Sequence, residues 1–173
     1  MAGSIENDFL AAYEQYADAI FRHCYFRVFD RERARELTQE TFLKTWEYLA
    51  AGKEIENLRA FLYRVAQNLI VDEARRRKGR KEISLESLRE QGFDLPTDSR
   101  DRAMRRMDGA EVFATLAALS PEDRDILLLR FGDELDPREI AEVLGITANA
   151  ASVRIHRARK RLKELLKRRN IHG

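Results

Sequence analysis

The chain has 173 residues, 36% charged and 44% hydrophobic, a balance that supports a packed core and excludes wholesale disorder. Its net charge of +2 looks neutral but hides segregation: residues 75–81 read Arg-Arg-Arg-Lys-Gly-Arg-Lys, and the last twenty residues hold nine Lys or Arg against one Glu. Cys24 is the only cysteine, which excludes an intramolecular disulfide and a four-cysteine zinc site, and no run approaches the roughly 18–20 apolar residues of a membrane span.

From the N-terminus, Phe9, Tyr13, Ile20, Cys24 and Val28 recur at helical spacing. Asp30 is placed to cap a second helix with Leu37, Phe42, Trp46 and Leu49 inward, and Gly52 to stop it. Asn57 precedes a third helix, with Leu58, Phe61, Leu62, Val65, Ala66, Leu69 and Ile70 on its buried side, which runs into the arginine cluster up to Gly79. From 80 to 108 the apolar spacing loosens and Gln91-Gly-Phe-Asp-Leu-Pro-Thr-Asp-Ser is polar and turn-rich, which reads as a linker. Periodicity returns at Val112, Leu116 and Leu119; Ser120-Pro121-Glu122-Asp123 then supplies an N-cap, a first-turn proline and acids at the positive helix end. Gly132-Asp133 breaks the following run. With 8 Gly, 3 Pro and no strand alternation, the expected fold is all-α: two small helical domains, 8–79 and 109–170, joined by a flexible linker over 80–108.

The C-terminal domain carries a helix-turn-helix pattern. Asp136-Pro137-Arg138-Glu139 opens a short helix with Ile140, Ala141, Val143 and Leu144 inward; Gly145 suits a left-handed turn, and Thr147 caps the next helix. That second helix buries Ala151, Ile155, Ala158 and Leu162. Entering a major groove, it would turn Asn149, Ala150, Ser152, Val153 and Arg154 toward bases, while Arg157, Lys160 and Arg161 grip phosphates. A plain helical hairpin with a wet basic end is the simpler alternative.

On the third helix, Arg64, Asn68, Asp72 and Arg76 are four apart and share a face, with Tyr63, Gln67 and Arg75 alongside. Such groups read unstacked bases and hold their phosphates; for Asp72, pairing with Arg75 or Arg76 is equally open. The second helix offers Glu36, Gln39, Glu40, Leu43, Lys44 and Glu47, a face of acidic tendency that repels DNA. It suits a protein partner, or simply solvent.

Taken together, Leu37-Thr-Gln-Glu-Thr-Phe-Leu-Lys-Thr-Trp46, Arg59-Ala-Phe-Leu-Tyr-Arg-Val-Ala-Gln-Asn68, Asp72-Glu-Ala-Arg-Arg-Arg77, Leu119-Ser-Pro-Glu-Asp-Arg-Asp-Ile-Leu-Leu-Leu-Arg-Phe131, Glu139-Ile-Ala-Glu-Val-Leu-Gly-Ile146 and His156-Arg-Ala-Arg159 resemble, in order, the extracytoplasmic-function group of bacterial sigma factors. The resemblance implies that the helix over 36–47 docks on the coiled coil of the largest catalytic subunit of core RNA polymerase. It implies that residues 58–78, with the loop at 50–57, capture the melted minus-10 element as single strand. The helix-turn-helix would read the minus-35 element as duplex, and the linker would thread toward the RNA path. On this reading Tyr63, Arg64, Asn68, Asp72, Arg75, Arg76 and Arg77 meet minus-10 DNA, and Thr147 joins Asn149 to Arg161 at minus-35. Family members are commonly held inactive by an anti-sigma factor, though no residue here identifies one. Two departures, Gly132-Asp-Glu-Leu-Asp136 and Ala148-Asn-Ala-Ala-Ser-Val153, fall where promoter sequence is read or framed, so the family's minus-35 consensus does not carry over.

The rival reading is an ordinary helix-turn-helix regulator whose first domain senses or dimerises; it leaves the second basic helix unexplained. A nuclease would need converging carboxylates or histidines, whereas His23, His156 and His172 are far apart without ligand spacing, and His23 is expected in the core. No enzyme activity, metal or cofactor is expected. The N-terminus has no basic segment followed by an apolar run, so a cytoplasmic chain without membrane insertion is expected.

Overall fold

The computed structural model describes residues 2–77 and 109–171, so the expected linker over 80–108 and the end of the basic run at 78–81 lie outside the described residues. Every regular element described is helical: α1 (Ala2–Val28), α2 (Arg31–Ala50), α3 (Leu58–Arg76), α4 (Gly109–Ala118), α5 (Pro121–Leu127) continuing into a π-helical turn (Leu128–Gly132), α6 (Pro137–Leu144) and α7 (Ala148–Ile171). The all-α expectation holds. Contacts divide the chain into two compact units, 1–80 with 135–151, and 81–134 with 152–173.

Helix starts follow local chemistry. Asp30 accepts from the Arg33 N–H, Asn57 from Ala60, and Ser120 from Asp123, each satisfying an amide that has no partner within its own helix. Ala51 is the C-cap of α2, and Gly52 follows at φ 77°, a left-handed value that glycine adopts without a Cβ penalty.

In the first unit α1 buries Ile20, His23, Cys24 and Val28, α2 buries Leu37 and Phe42, and α3 buries Leu62, Tyr63, Ala66 and Ile70. Edge-on rings close one end, Phe9 against Trp46 at 5.1 Å and Tyr13 against Phe42 at 4.8 Å. The stripe of α2 is more polar than its apolar spacing suggests: Thr38, Thr41 and Thr45 are buried because each hydroxyl donates to the carbonyl four residues earlier. Arg33 ties α2 to α3, donating to Glu73 at 2.6 Å. Arg59 of α3 reaches Glu139 of α6 at 3.4 Å.

In the second unit Leu119, Ile126, Leu127, Leu129, Ile155 and Ala158 are buried. Three arginines stitch it: Arg124 donates to the Leu116 and Leu119 carbonyls, Arg161 to both oxygens of Asp123, and Arg169 to the Thr115 hydroxyl.

Candidate nucleic-acid interface

α3 presents the first candidate face. Arg64, Asn68, Asp72, Arg75 and Arg76 are exposed along one side, and Arg77, half-buried, caps the helix end. Arg75 and Arg76 lie in the last turn of α3, where the helix dipole favours cations. Tyr63 departs from expectation. It is only 2% exposed and stacks edge-on against His23 at 5.1 Å, because Ala60, Tyr63, Gln67 and Ile70 fall on the stripe facing the core. Its phenol therefore belongs to the packing and not to the surface that a strand would meet. Gln67 is buried on the same stripe.

The acid that serves the arginine run is Glu73, not Asp72. Glu73 accepts from Arg33 at 2.6 Å and pairs with Arg77 at 3.0 Å; Arg33 also holds Glu36 at 2.7 Å. The Arg33 hydrogen bond, assisted by the charges of Arg33, Arg77 and Arg76, holds the Glu73 carboxyl below the usual glutamate range against the opposing effect of burial. The same bond raises Arg33 further above its normal value.

A neighbouring group was not singled out in the sequence. Tyr48, at the end of α2, lies 4.8 Å from Phe61, with the Lys53 ammonium 4.9 Å over Tyr48 and the Arg64 guanidinium 5.3 Å over Phe61. Two half-exposed rings with a cation at each end offer stacking faces beside charge. Tyr48 falls off the apolar stripe of α2, and an aromatic there without a core role was the available signal.

On the α2 face Glu36, Gln39, Lys44 and Glu47 are exposed, Glu40 is half-buried, and Leu43 stands out at 56% exposure. A leucine so open among charges is a candidate anchor for a protein partner.

The second nucleic-acid face is the helix-turn-helix. Asp136 and Glu139 form a reciprocal capping box at the start of α6; Gly145 turns the chain at φ 66°, ψ 37°, and Ile146 donates to the Ala141 carbonyl. Thr147 then accepts from the Ala150 N–H at 3.1 Å, so its hydroxyl oxygen is engaged in capping α7. Beyond it Asn149, Ser152, Val153, Arg154, Arg157 and Lys160 are exposed and Ala150 is half-buried. Arg161 is exposed too, but both Asp123 oxygens lie 2.6 Å from it, so a fixed carboxylate already neutralises the charge assigned to phosphate. Nearby, the guanidinium groups of Arg130 and Arg159 each lie 5.6 Å from the exposed Phe131 ring.

Among the described residues no group of three His, Cys, Asp or Glu side chains could hold a metal, and no helix is long and apolar enough to cross a membrane.

A helical chain with one helix-turn-helix and a separate basic, amide-bearing face defines a nucleic-acid-binding class, and comparisons with known proteins narrow it. The profile of Sigma-70 region 2 matches residues 12–80, and that of Sigma-70, region 4 matches residues 110–162. RNA polymerase sigma factor YlaC of Bacillus subtilis is 30% identical over 155 residues, 88% of either chain. ECF RNA polymerase sigma factor BldN of Streptomyces coelicolor is 26% identical over 89% of this chain, which spans only 58% of that longer protein. Among solved structures, the sigma factor RpoE in complex with the anti-sigma factor NepR from Bartonella quintana matches with a TM-score of 0.67 at 24% identity, covering 92% of this chain and 97% of that one. CnrH in complex with the cytosolic domain of CnrY gives the same TM-score at 23% identity, covering 94% and 89%. The chain belongs to the extracytoplasmic-function group of the sigma-70 family of RNA polymerase sigma factors.

Proposed function

We propose that this protein directs core RNA polymerase to a set of promoters as an alternative sigma factor. In this reading residues 8–79 dock on polymerase through Glu36, Gln39, Glu40, Leu43, Lys44 and Glu47 of α2. They engage the melted minus-10 strand through Arg64, Asn68, Asp72, Arg75, Arg76 and Arg77, with Tyr48 and Phe61 as stacking faces. Residues 109–170 read the minus-35 duplex with the first turns of α7. The observation that carries the reading is the presence, in one chain, of two exposed cationic faces of different chemistry. One mixes amide, carboxylate and guanidinium beside aromatic rings, as single strands require; the other is a capped helix following a glycine turn, as a major groove requires.

Phosphate contacts supply most of the affinity and a few base contacts supply selection. Opening the duplex costs a few kcal/mol, which capture of unstacked bases offsets. No nucleotide hydrolysis enters, and the protein is a specificity subunit without catalysis of its own, working in the cytoplasm. An anti-sigma factor is a fitting partner, since RpoE was solved in complex with the anti-sigma factor NepR and CnrH in complex with the cytosolic domain of CnrY.

Run-off transcription with purified core polymerase over a genomic library tests the proposal. Specific transcripts sharing two upstream elements are expected only when the protein is added. A protein that binds duplex DNA but neither co-elutes with core polymerase nor starts transcription would instead be a helix-turn-helix regulator.

A further inference from the structure

α7 is a strongly charged helix: from Arg154 to Arg169 it carries nine Lys or Arg and one Glu. In its first turns one residue breaks that character. Val153 is a large apolar side chain left 38% exposed, while Ala151, Ile155 and Ala158 hold the buried stripe. At 3.6 residues per turn, Val153 falls on roughly the opposite side of the helix from that stripe, between Asn149 and Arg157 one turn away on either side and with Lys160 two turns on. A β-branched residue there, off the buried stripe, lowers helix propensity relative to alanine.

The surroundings indicate what it meets. Arg154, Arg157 and Lys160 are exposed around it, and Ala150, one turn earlier, is small and half-buried, so a polyanion can approach closely at this point. Within a major groove the one apolar feature on a base edge is the C5-methyl group of thymine. Against any other edge an isopropyl group strips water from donors and acceptors without replacing their hydrogen bonds.

Resting on the proposed reading of minus-35 duplex by α7, we propose that Val153 is a specificity-determining residue that selects a thymine by contact with its 5-methyl group. Asn149 and Arg157 on the same face read or brace the neighbouring positions.

The test uses holoenzyme assembled from the full chain and core polymerase, on a promoter recovered by run-off transcription. Each thymine in the minus-35 footprint is replaced singly by deoxyuridine, which keeps the pairing and deletes only the methyl. One position is expected to weaken wild-type binding about fourfold, the value of one buried methyl-sized group. Val153→Ala is expected to bind thymine and uracil templates within twofold of each other, and Val153→Ile to keep the preference. Because Val153 is exposed and alanine is the better helix former, loss of folding does not cloud the variant. Uracil that is tolerated at every position, or a preference that survives undiminished in Val153→Ala, would overturn the assignment. Holoenzyme that starts at the promoter yet leaves the upstream duplex unprotected would overturn the reading beneath it as well.

Discussion

Glu73 is the acceptor for two guanidinium groups, Arg33 at 2.6 Å and Arg77 at 3.0 Å. Its carboxyl is held below the usual glutamate range, chiefly by the Arg33 hydrogen bond. A group depressed in the folded state stabilises the fold above its unfolded pKa and loses that contribution as pH falls through the folded value. Glu73→Gln is therefore expected to lower stability by about 1.5–3 kcal/mol at neutral pH. The deficit should shrink as the wild-type carboxylate protonates below the glutamate range; denaturant melts at neutral and acid pH check both. Arginines that look alike in sequence also differ once their partners are known. Lys160→Ala is expected to reduce the salt slope of minus-35 binding by about 0.9, one phosphate contact, and Arg161→Ala by clearly less, because Asp123 already holds that guanidinium. A full unit lost for Arg161 in salt-titrated binding would contradict this. Tyr63 illustrates why single residues are hard to place by eye. A phenol is at home in core or at a DNA surface, and only the stripe shared with Ala60, Gln67 and Ile70 decides. Tyr63→Ala should accordingly cost about 3–5 kcal/mol of stability, as aromatic truncations in cores do, whereas Arg64→Ala should leave melting unchanged and weaken single-strand binding.

Helix boundaries were legible because their causes are local. Asp30, Asn57, Ser120 and Asp136 accept hydrogen bonds from amides two or three residues ahead, and such a residue announces itself whatever the tertiary structure. Asp136→Ala, which breaks the capping box, is expected to cost about 1 kcal/mol. Gly145→Ala is expected to cost about 1–2 kcal/mol for a positive φ alone, since a Cβ there would meet nothing within 4 Å. Thermal melts measure both, and a neutral Gly145→Ala would argue against the left-handed turn. The π-turn at Leu128–Gly132 escaped the sequence. An extra residue in a turn leaves no compositional mark. The α2 threonines escaped for a related reason, as back-bonding lets a polar residue occupy an apolar position.

For the molecule as a whole, helical class and the order of its recognition elements could be read early, since helical periodicity and glycine turns are short-range signals. Which helix faces are covered is a long-range outcome, and there the expectations needed revision at Tyr63 and Arg161. The division of labour proposed here makes Asn68→Ala and Arg76→Ala lower open-complex formation by an order of magnitude or more while co-elution with core polymerase stays intact; equal losses in both assays would point to a damaged fold instead. Cys24 adds a practical corollary. It is the chain's one thiol, and it is buried. Maleimide dyes thus find no native target on the folded surface, so a cysteine introduced at Ser152 or at Gln39 would report alone on the arrival of promoter or of polymerase. In the unaltered chain, the rate at which a thiol reagent reaches Cys24 becomes a clock for spontaneous opening of the first helical bundle.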